Sequence, residues 1–229
     1  MTHNKFDLSE SLDRMGTILS GNGEHYRKFQ YIPNDNLLEE FRGSFVDCVV
    51  LVSRLFFMAN DINLLGLAKV FDMYMNEVKI IMSELPLCKA VLVHGYTITG
   101  IYNIGTDEYM SSIMDVAGRV KSLPEIINVR SGRKEKPVIN NVCAMEKGQL
   151  YVTKSTQEVN YFGKMIDRAE GWVSKGVKDE KTGLFISKQV HLELKSQYQG
   201  FFNIEETDVL FGKIENVGMA SWVKEQNKK

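Results

Sequence analysis

The chain has 229 residues, a formal net charge of -1, 44% hydrophobic residues and 25% charged residues. That length can bury a sizeable core, and so balanced a charge gives no electrostatic reason to expect nucleic acid or an anionic membrane as partner. No apolar segment reaches the ~18 residues of a membrane span and the first ten residues form no apolar signal region, so a cytoplasmic protein is expected.

Leu8, Leu12, Met15 and Leu19 fall at helical spacing. They predict a helix from Asp7 to Leu19, capped by Asp7 or Ser9 and ended by Gly21-Asn22-Gly23. Ser44 to Leu51 is nearly all apolar, as in a strand buried on both faces. Asp47 is read as the acid that closes its Phe45-Val46-Asp47 stretch. From Asn60, the apolar positions Ile62, Leu65, Val70, Phe71, Tyr74, Val78, Ile81 and Met82 predict a helix capped by Asn60 or Asp61 and stopped by Pro86.

Lys89 to Asn103 reads as a hairpin turning at His94-Gly95-Tyr96. An acid at the end of one strand, facing the turn of a neighbouring hairpin, suits a site for metal-bound phosphates. A second carboxylate is expected where Tyr96 stands. Thr106 to Leu123 predicts another long helix, with Asp107 as cap. Arg130 to Pro137 is a polar connector. Val138 to Met145 and Gln149 to Lys154 read as a hairpin turning at Glu146-Lys147-Gly148. Tyr161 to Ser174 reads as a helix facing inward through Met165, Ile166, Ala169 and Trp172 or Val173. Leu184 to Ser187 is a short strand whose Ser187 caps a helix to Ser196. The last elements are edge strands, Val209 to Phe211 with Met219 to Val223.

Cys48, Cys88 and Cys143 are scattered and read as buried thiols in a reducing compartment. The four histidines show no metal-ligand spacing. No P-loop, GxGxxG or Ser-His-Asp arrangement is present. The pattern predicts an α+β protein or mixed sandwich: a central mixed sheet, antiparallel where hairpins form it, covered by helices on one face.

The order of these pieces resembles the catalytic domains of class III nucleotidyl cyclases, and among them the bacterial Pycsar pyrimidine cyclases. Leu12-Asp13-Arg14 with Ile32-Pro33-Asn34 resembles the lead-in of that group. Gly43 to Asp47 with Ser53-Arg54-Leu55 resembles its first metal strand and the loop after it. Val93-His94-Gly95 with Gly100-Ile101-Tyr102-Asn103 resembles its metal hairpin. Ile126-Ile127-Asn128 resembles the end of the next helix. Met145 to Leu150 and Tyr161 to Ala169 resemble its later strand and dimer-interface helix.

The resemblance covers about Asp7 to Trp222. It implies a ferredoxin-like core over 41–224, a helical lead-in over 1–40 and a polar tail over 225–229. It further implies a cytoplasmic homodimer that cyclises a pyrimidine nucleoside triphosphate, UTP ahead of CTP, with release of pyrophosphate. The cyclic nucleotide would be an anti-phage signal read by a sensing effector. Two divalent ions, Mn2+ or Mg2+, would assist, held by oxygen ligands.

Residue by residue, the resemblance gives Asp47 the first metal position and Cys48 a carbonyl ligand, and puts Phe45 beside the substrate. Tyr96 stands at the second metal carboxylate. Three readings stay open there: one carboxylate suffices, another acid substitutes, or catalysis is weak or lost. Val49 to Val52 replaces a Gly- and hydroxyl-rich phosphate turn. Leu92 and Asn160 hold the base-reading positions, and Leu92 offers no donor to a purine. Asp167 matches the ribose-contacting position, Gly171 stands where the transition-state Arg is expected, and Arg168 is the nearby substitute. Lys213 lies near the triphosphate lysine. A structural reading competes for each: a satisfied strand-end acid, strand core, turn, solvated helix face or edge lysine.

Overall fold

The computed structural model describes residues 13, 26–33, 43–58, 63–105, 108–132, 138–154 and 158–226. The predicted first helix, its Gly-Asn-Gly end, Asn60, Asp61 and Asp107 lie outside the described residues, save Asp13.

The strands are β1 (Tyr26–Phe29), β2 (Gly43–Phe57), β3 (Cys88–His94), β4 (Thr97–Asn103), β5 (Ile139–Lys154), β6 (Val159–Phe162), β7 (Leu184–Ser187), β8 (Phe202–Glu206) and β9 (Val209–Gly212). The helices are α1 (Leu64–Ser83), α2 (Tyr109–Arg130), α3 (Lys164–Lys178), α4 (Lys188–Glu193), α5 (Ser196–Gln199) and α6 (Val217–Gln226). The strands form one mixed sheet in the order β3-β4-β2-β5-β7-β9-β8, with β1 added to β2 and β6 added to β5.

The two long strands are the centre of the sheet. β2 pairs antiparallel with β5 from Ser44↔Val152 to Phe57↔Ile139. Its other edge takes β1 in parallel at its start and β4 antiparallel from Cys48↔Asn103 to Arg54↔Thr97. Successive side chains on a strand point to opposite faces. Val49, Leu51 and Leu55 therefore join one core, beneath α1 and α2, and Val46, Cys48, Val50 and Val52 join another, beneath α3. Helices cover both faces, not one.

Local chemistry explains the elements. Asn63, rather than Asn60 or Asp61, caps α1: its side chain accepts a hydrogen bond from the Gly66 N–H at 2.8 Å. Gly95 takes φ +57 at the hairpin turn, a conformation that costs glycine little. The α2 helix runs through Pro124 to Arg130, past its predicted end at Leu123. A proline leaves the carbonyl four residues earlier without its helical donor. That carbonyl belongs to Val120, and the buried Asn141 amide donates to it at 2.7 Å. Asn128 then docks the start of β5 on α2, accepting from the Val138 N–H at 2.9 Å and donating to the Ile139 carbonyl at 2.9 Å. The α3 helix lies close on the sheet because Ala169 is small and fully buried and Gly176 leaves room for Val142 and Phe185.

Three predicted elements differ. Ile139 to Lys154 is one strand, because Glu146 and Lys147 stay paired with Val50 and Val49 of β2 instead of turning. Tyr161 and Phe162 belong to β6, so α3 starts at Lys164. Met219 to Val223 is helical, and β9 pairs instead with β7 and β8. Ser187 caps α4 as expected, accepting from the Val190 N–H at 3.2 Å, but the helix ends at Glu193. Cys48 and Cys143 are buried and Cys88 is partly so, all as free thiols. No described helix is long and apolar enough to cross a membrane.

Candidate active site

The hairpin turn faces the far end of β2. The Leu55 N–H donates to the Tyr96 carbonyl at 2.9 Å. The β2 residues opposite the turn are thus Ser53, Arg54 and Leu55, and Asp47 is eight residues away. At ~3.4 Å per strand residue that is about 27 Å. Asp47 does not close a strand, since β2 continues to Phe57. The structure does not bring Asp47 and Tyr96 together.

Around the turn the side chains are aromatic, aliphatic and basic. Tyr96 is 52% exposed. It packs edge-on against Phe57 at 5.7 Å and against Phe71 at 5.8 Å. Arg54, part of the Ser53-Arg54-Leu55 stretch but given no role of its own from the sequence, donates to Ser174 Oγ at 3.1 Å. Beneath lies a buried polar web. Ser53 Oγ is 2.6 Å from Tyr74 Oη, Asn141 Nδ2 donates to Tyr74 Oη at 3.0 Å, and Cys143 Sγ donates to Ser53 Oγ at 3.4 Å. Burial pushes the Tyr74 hydroxyl up and the Cys143 thiol to about 11, so both are protonated at neutral pH.

At the other end of the sheet, Asp47 is half-exposed and ion-paired to Lys28 Nζ at 2.9 Å. It lines a cavity of about 470 Å³ with Lys28, Phe29, Gln30, Ile104 and Gly105. By strand alternation and register, Phe45 and Asn160 lie on the same face as Asp47. Cys48 points to the opposite face, its Sγ 4.0 Å from Met165 Sδ. Burial first, and the Asp47 charge second, push its thiol up to about 12.

The remaining candidates are dispersed. Asp167 is exposed in the first turn of α3. Arg168 Nη2 lies 3.2 Å from Glu146 Oε2, and the guanidinium sits 5.4 Å from the Trp172 ring centre. Arg168 is thereby held against its own sheet. Lys213 follows β9 and is exposed beside a cavity of about 500 Å³ that also contains Asp115 and Tyr198. Leu92 sits on the edge strand β3, 36% exposed.

This topology has close counterparts among solved structures. The adenylyl cyclase CyaB of P. aeruginosa superposes with a TM-score of 0.59 at 10% identity, covering 76% of this chain and 96% of that one. The guanylyl cyclase Cya2 gives 0.58 at 12% identity, covering 77% and 97%. The chain has the class III nucleotidyl cyclase fold. The sequence of this cyclase-fold protein is also similar to a uridylate cyclase from Gulbenkiania mobilis, 20% identical over an alignment covering 98% of each chain. No family profile matches the chain.

The cyclase resemblance implies a pair of divalent ions, and the donors present do not fit one. Tyr96, a phenol, holds the turn position, and Mg2+ and Mn2+ prefer carboxylate, carbonyl or water oxygens. Asp47 already carries an ammonium partner. Cys48 is paired on both edges, with Asn103 and Gly148, so its backbone groups are directed at neighbouring strands. Among the described residues no three His, Cys, Asp or Glu side chains gather as a metal cage.

Two predictions follow from these geometries. In Mn2+ titrations followed by electron paramagnetic resonance, the nucleotide-free protein behaves as a surface with scattered carboxylates; a site saturating at micromolar Mn2+ and lost in Asp47→Ala contradicts this. Glu146 is 2% exposed, and burial raises its carboxyl above the usual range although Ser187 and Arg168 oppose the shift. The stabilisation given by its protonated form is complete below the unfolded value and lost as pH rises through the folded one. Denaturant unfolding of Glu146→Gln should therefore show the variant gaining on the parent between acid and neutral pH, and a pH-independent difference contradicts the assignment.

Proposed function

We propose that this chain is a homodimeric nucleotidyl cyclase acting on a pyrimidine nucleoside triphosphate, UTP ahead of CTP. The substrate 3′-oxygen bonds to the α-phosphorus, the α–β phosphoanhydride bond breaks and pyrophosphate departs. The product is a cyclic nucleotide, cyclic UMP in the favoured case, serving as an anti-phage signal to a sensing effector. The observation that carries this reading is end-to-end similarity to a protein named uridylate cyclase, combined with a cyclase fold. Leu92 supports it, since a leucine cannot donate to a purine nitrogen. Asn160, with donors and an acceptor, suits a pyrimidine edge. A divalent ion, Mn2+ or Mg2+, enters this reading as a companion of the substrate phosphates rather than as an ion caged by protein.

A second reading keeps the fold without the reaction, as a nucleotide-binding or dimerisation subunit. Tyr96 packed between Phe57 and Phe71 favours it. So does Gly171, which has no side chain where the resemblance expects an arginine, although a Cβ there would meet nothing within 4 Å.

Incubation of the purified protein with each of the four ribonucleoside triphosphates and Mn2+, with cyclic nucleotide and pyrophosphate quantified, decides between them. The first reading expects cyclic UMP as main product, falling about tenfold or more in Asp47→Ala, the range of losing one polar substrate contact. No cyclic product from any triphosphate contradicts it and leaves the second.

A further inference from the structure

The hairpin end of the sheet carries a row of hydrogen-bond donors that the packing leaves largely unused. Arg54 of β2 is opposite Thr97 of β4, and Thr97 is opposite His94 of β3. Directly opposed residues project from the same face of a sheet. Val50 and Val52 join the core beneath α3, and Arg54 continues their alternation. Arg54, Thr97 and His94 therefore stand side by side on the α3 side of the sheet. Tyr96 turns to the other side, against Phe57 and Phe71. His94 is exposed, Arg54 is partly exposed and Thr97 is nearly buried.

A guanidinium has five N–H donors in a planar fork. Arg54 uses one of them on Ser174 Oγ. That neutral hydroxyl steadies the side chain without cancelling its charge, and among the described residues no carboxylate pairs with Arg54. Nor, among those residues, does another side chain engage the His94 ring or the Thr97 hydroxyl. There is room beside the fork. Gly171 and Ser174 are three apart on α3 and so neighbours on one helix face, and a Cβ added at Gly171 would meet nothing within 4 Å. The row crosses two strand spacings, about 9.6 Å, enough to meet successive phosphate groups. Arginine takes phosphate oxygens two at a time. A lone carboxylate ligand would occupy only the Arg54 end.

We infer that Arg54, steadied by Ser174 and flanked by Thr97 and His94, contacts the phosphate chain of a nucleoside triphosphate at the hairpin. That the phosphates belong to a nucleotide rests on the function proposed above. The positive charge that a pair of metal-binding acids would bring indirectly comes here from the side chain itself. Asp47, seven residues back along β2, is about 24 Å away by strand rise. One nucleotide therefore meets both residues only when they belong to different subunits of the proposed homodimer.

Calorimetry with tripolyphosphate, UTP and uridine, without divalent metal, tests the contact on the parent and on Arg54→Gln, with thermal melting to check folding. The parent binds tripolyphosphate and UTP. The folded variant loses about tenfold or more in affinity for both, the range of removing a hydrogen bond to a charged group, and its affinity for uridine is unchanged. A parent that binds neither phosphate ligand overturns the inference. So does an unchanged affinity for both in the folded variant, which leaves Arg54 as a strut between β2 and α3. Tripolyphosphate bound more tightly than UTP overturns the nucleotide in favour of free polyphosphate. Should Arg54→Gln fail to fold, His94→Ala, at an exposed position of the same row, carries the test: weaker binding of both ligands is expected, and unaltered binding contradicts the row. Product formation separates the two ideas. Cyclic nucleotide made equally by parent and folded Arg54→Gln sinks this inference alone; UTP affinity that falls in the variant, with no cyclic product from the parent, sinks the cyclase reading alone.

Discussion

Register along β2 governs this molecule. This fifteen-residue strand pairs with β5 from Ser44 to Phe57 on one edge, and with β1 from Gly43 to Val46 and β4 from Cys48 to Arg54 on the other. Shifting such a strand by one residue would exchange its two faces, placing Phe45, Asp47 and Ser53 beneath α3 and Cys48 and Val50 beneath α1 and α2. Both cores hold β2 to its register, because each needs alternate apolar residues from it. The distance between Asp47 and the hairpin turn is a consequence of that register and not of a loop that could rearrange.

The sheet consequently has two chemically different ends. Around the turn, Tyr96 is wedged against two phenylalanines above a web of buried hydroxyl, thiol and amide groups. Asn141 links that web to the helix, since its amide meets the Val120 carbonyl left over by Pro124. One buried side chain thus reconciles a proline inside α2 with a strand beside it. At the other end Phe45, Asp47, Tyr151, Asn160 and Phe162 share one face of the sheet, with Phe45 and Phe162 the most exposed of the aromatic rings. This chain with the cyclase fold carries aromatic and basic side chains at the turn.

Much of the scaffold was legible in the sequence. The hairpin at Gly95, the helix from the Leu64 region to Met82, the inward face of α3 and the Ser187 cap each rest on local spacing or cap chemistry. What failed depended on distant partners. Glu146-Lys147-Gly148 has the composition of a turn, but Glu146 reaches Arg168 on α3 and Lys147 reaches Glu193, so the strand runs straight through. Met219 to Val223 is apolar enough for a strand, yet β9 finds β8 nearer in sequence. Of the candidate site, Phe45, Asp47 and Asn160 do share a face. Their separation from Tyr96 was hidden because it depends on how far β2 extends, and the apolar run after Asp47 gave no stop. The row of Arg54, Thr97 and His94 was hidden likewise, since it emerges only once the β2–β4 and β3–β4 registers are known.

The separation of Asp47 from the turn can be measured without any ligand. Spin labels placed by Asp47→Cys and Tyr96→Cys, in a chain whose native cysteines are replaced, report it by double electron–electron resonance. The register described here predicts a distribution centred at about 27 Å, broadened by the label arms. A population within about 10 Å, the span of two groups sharing one ion-binding site, would contradict it.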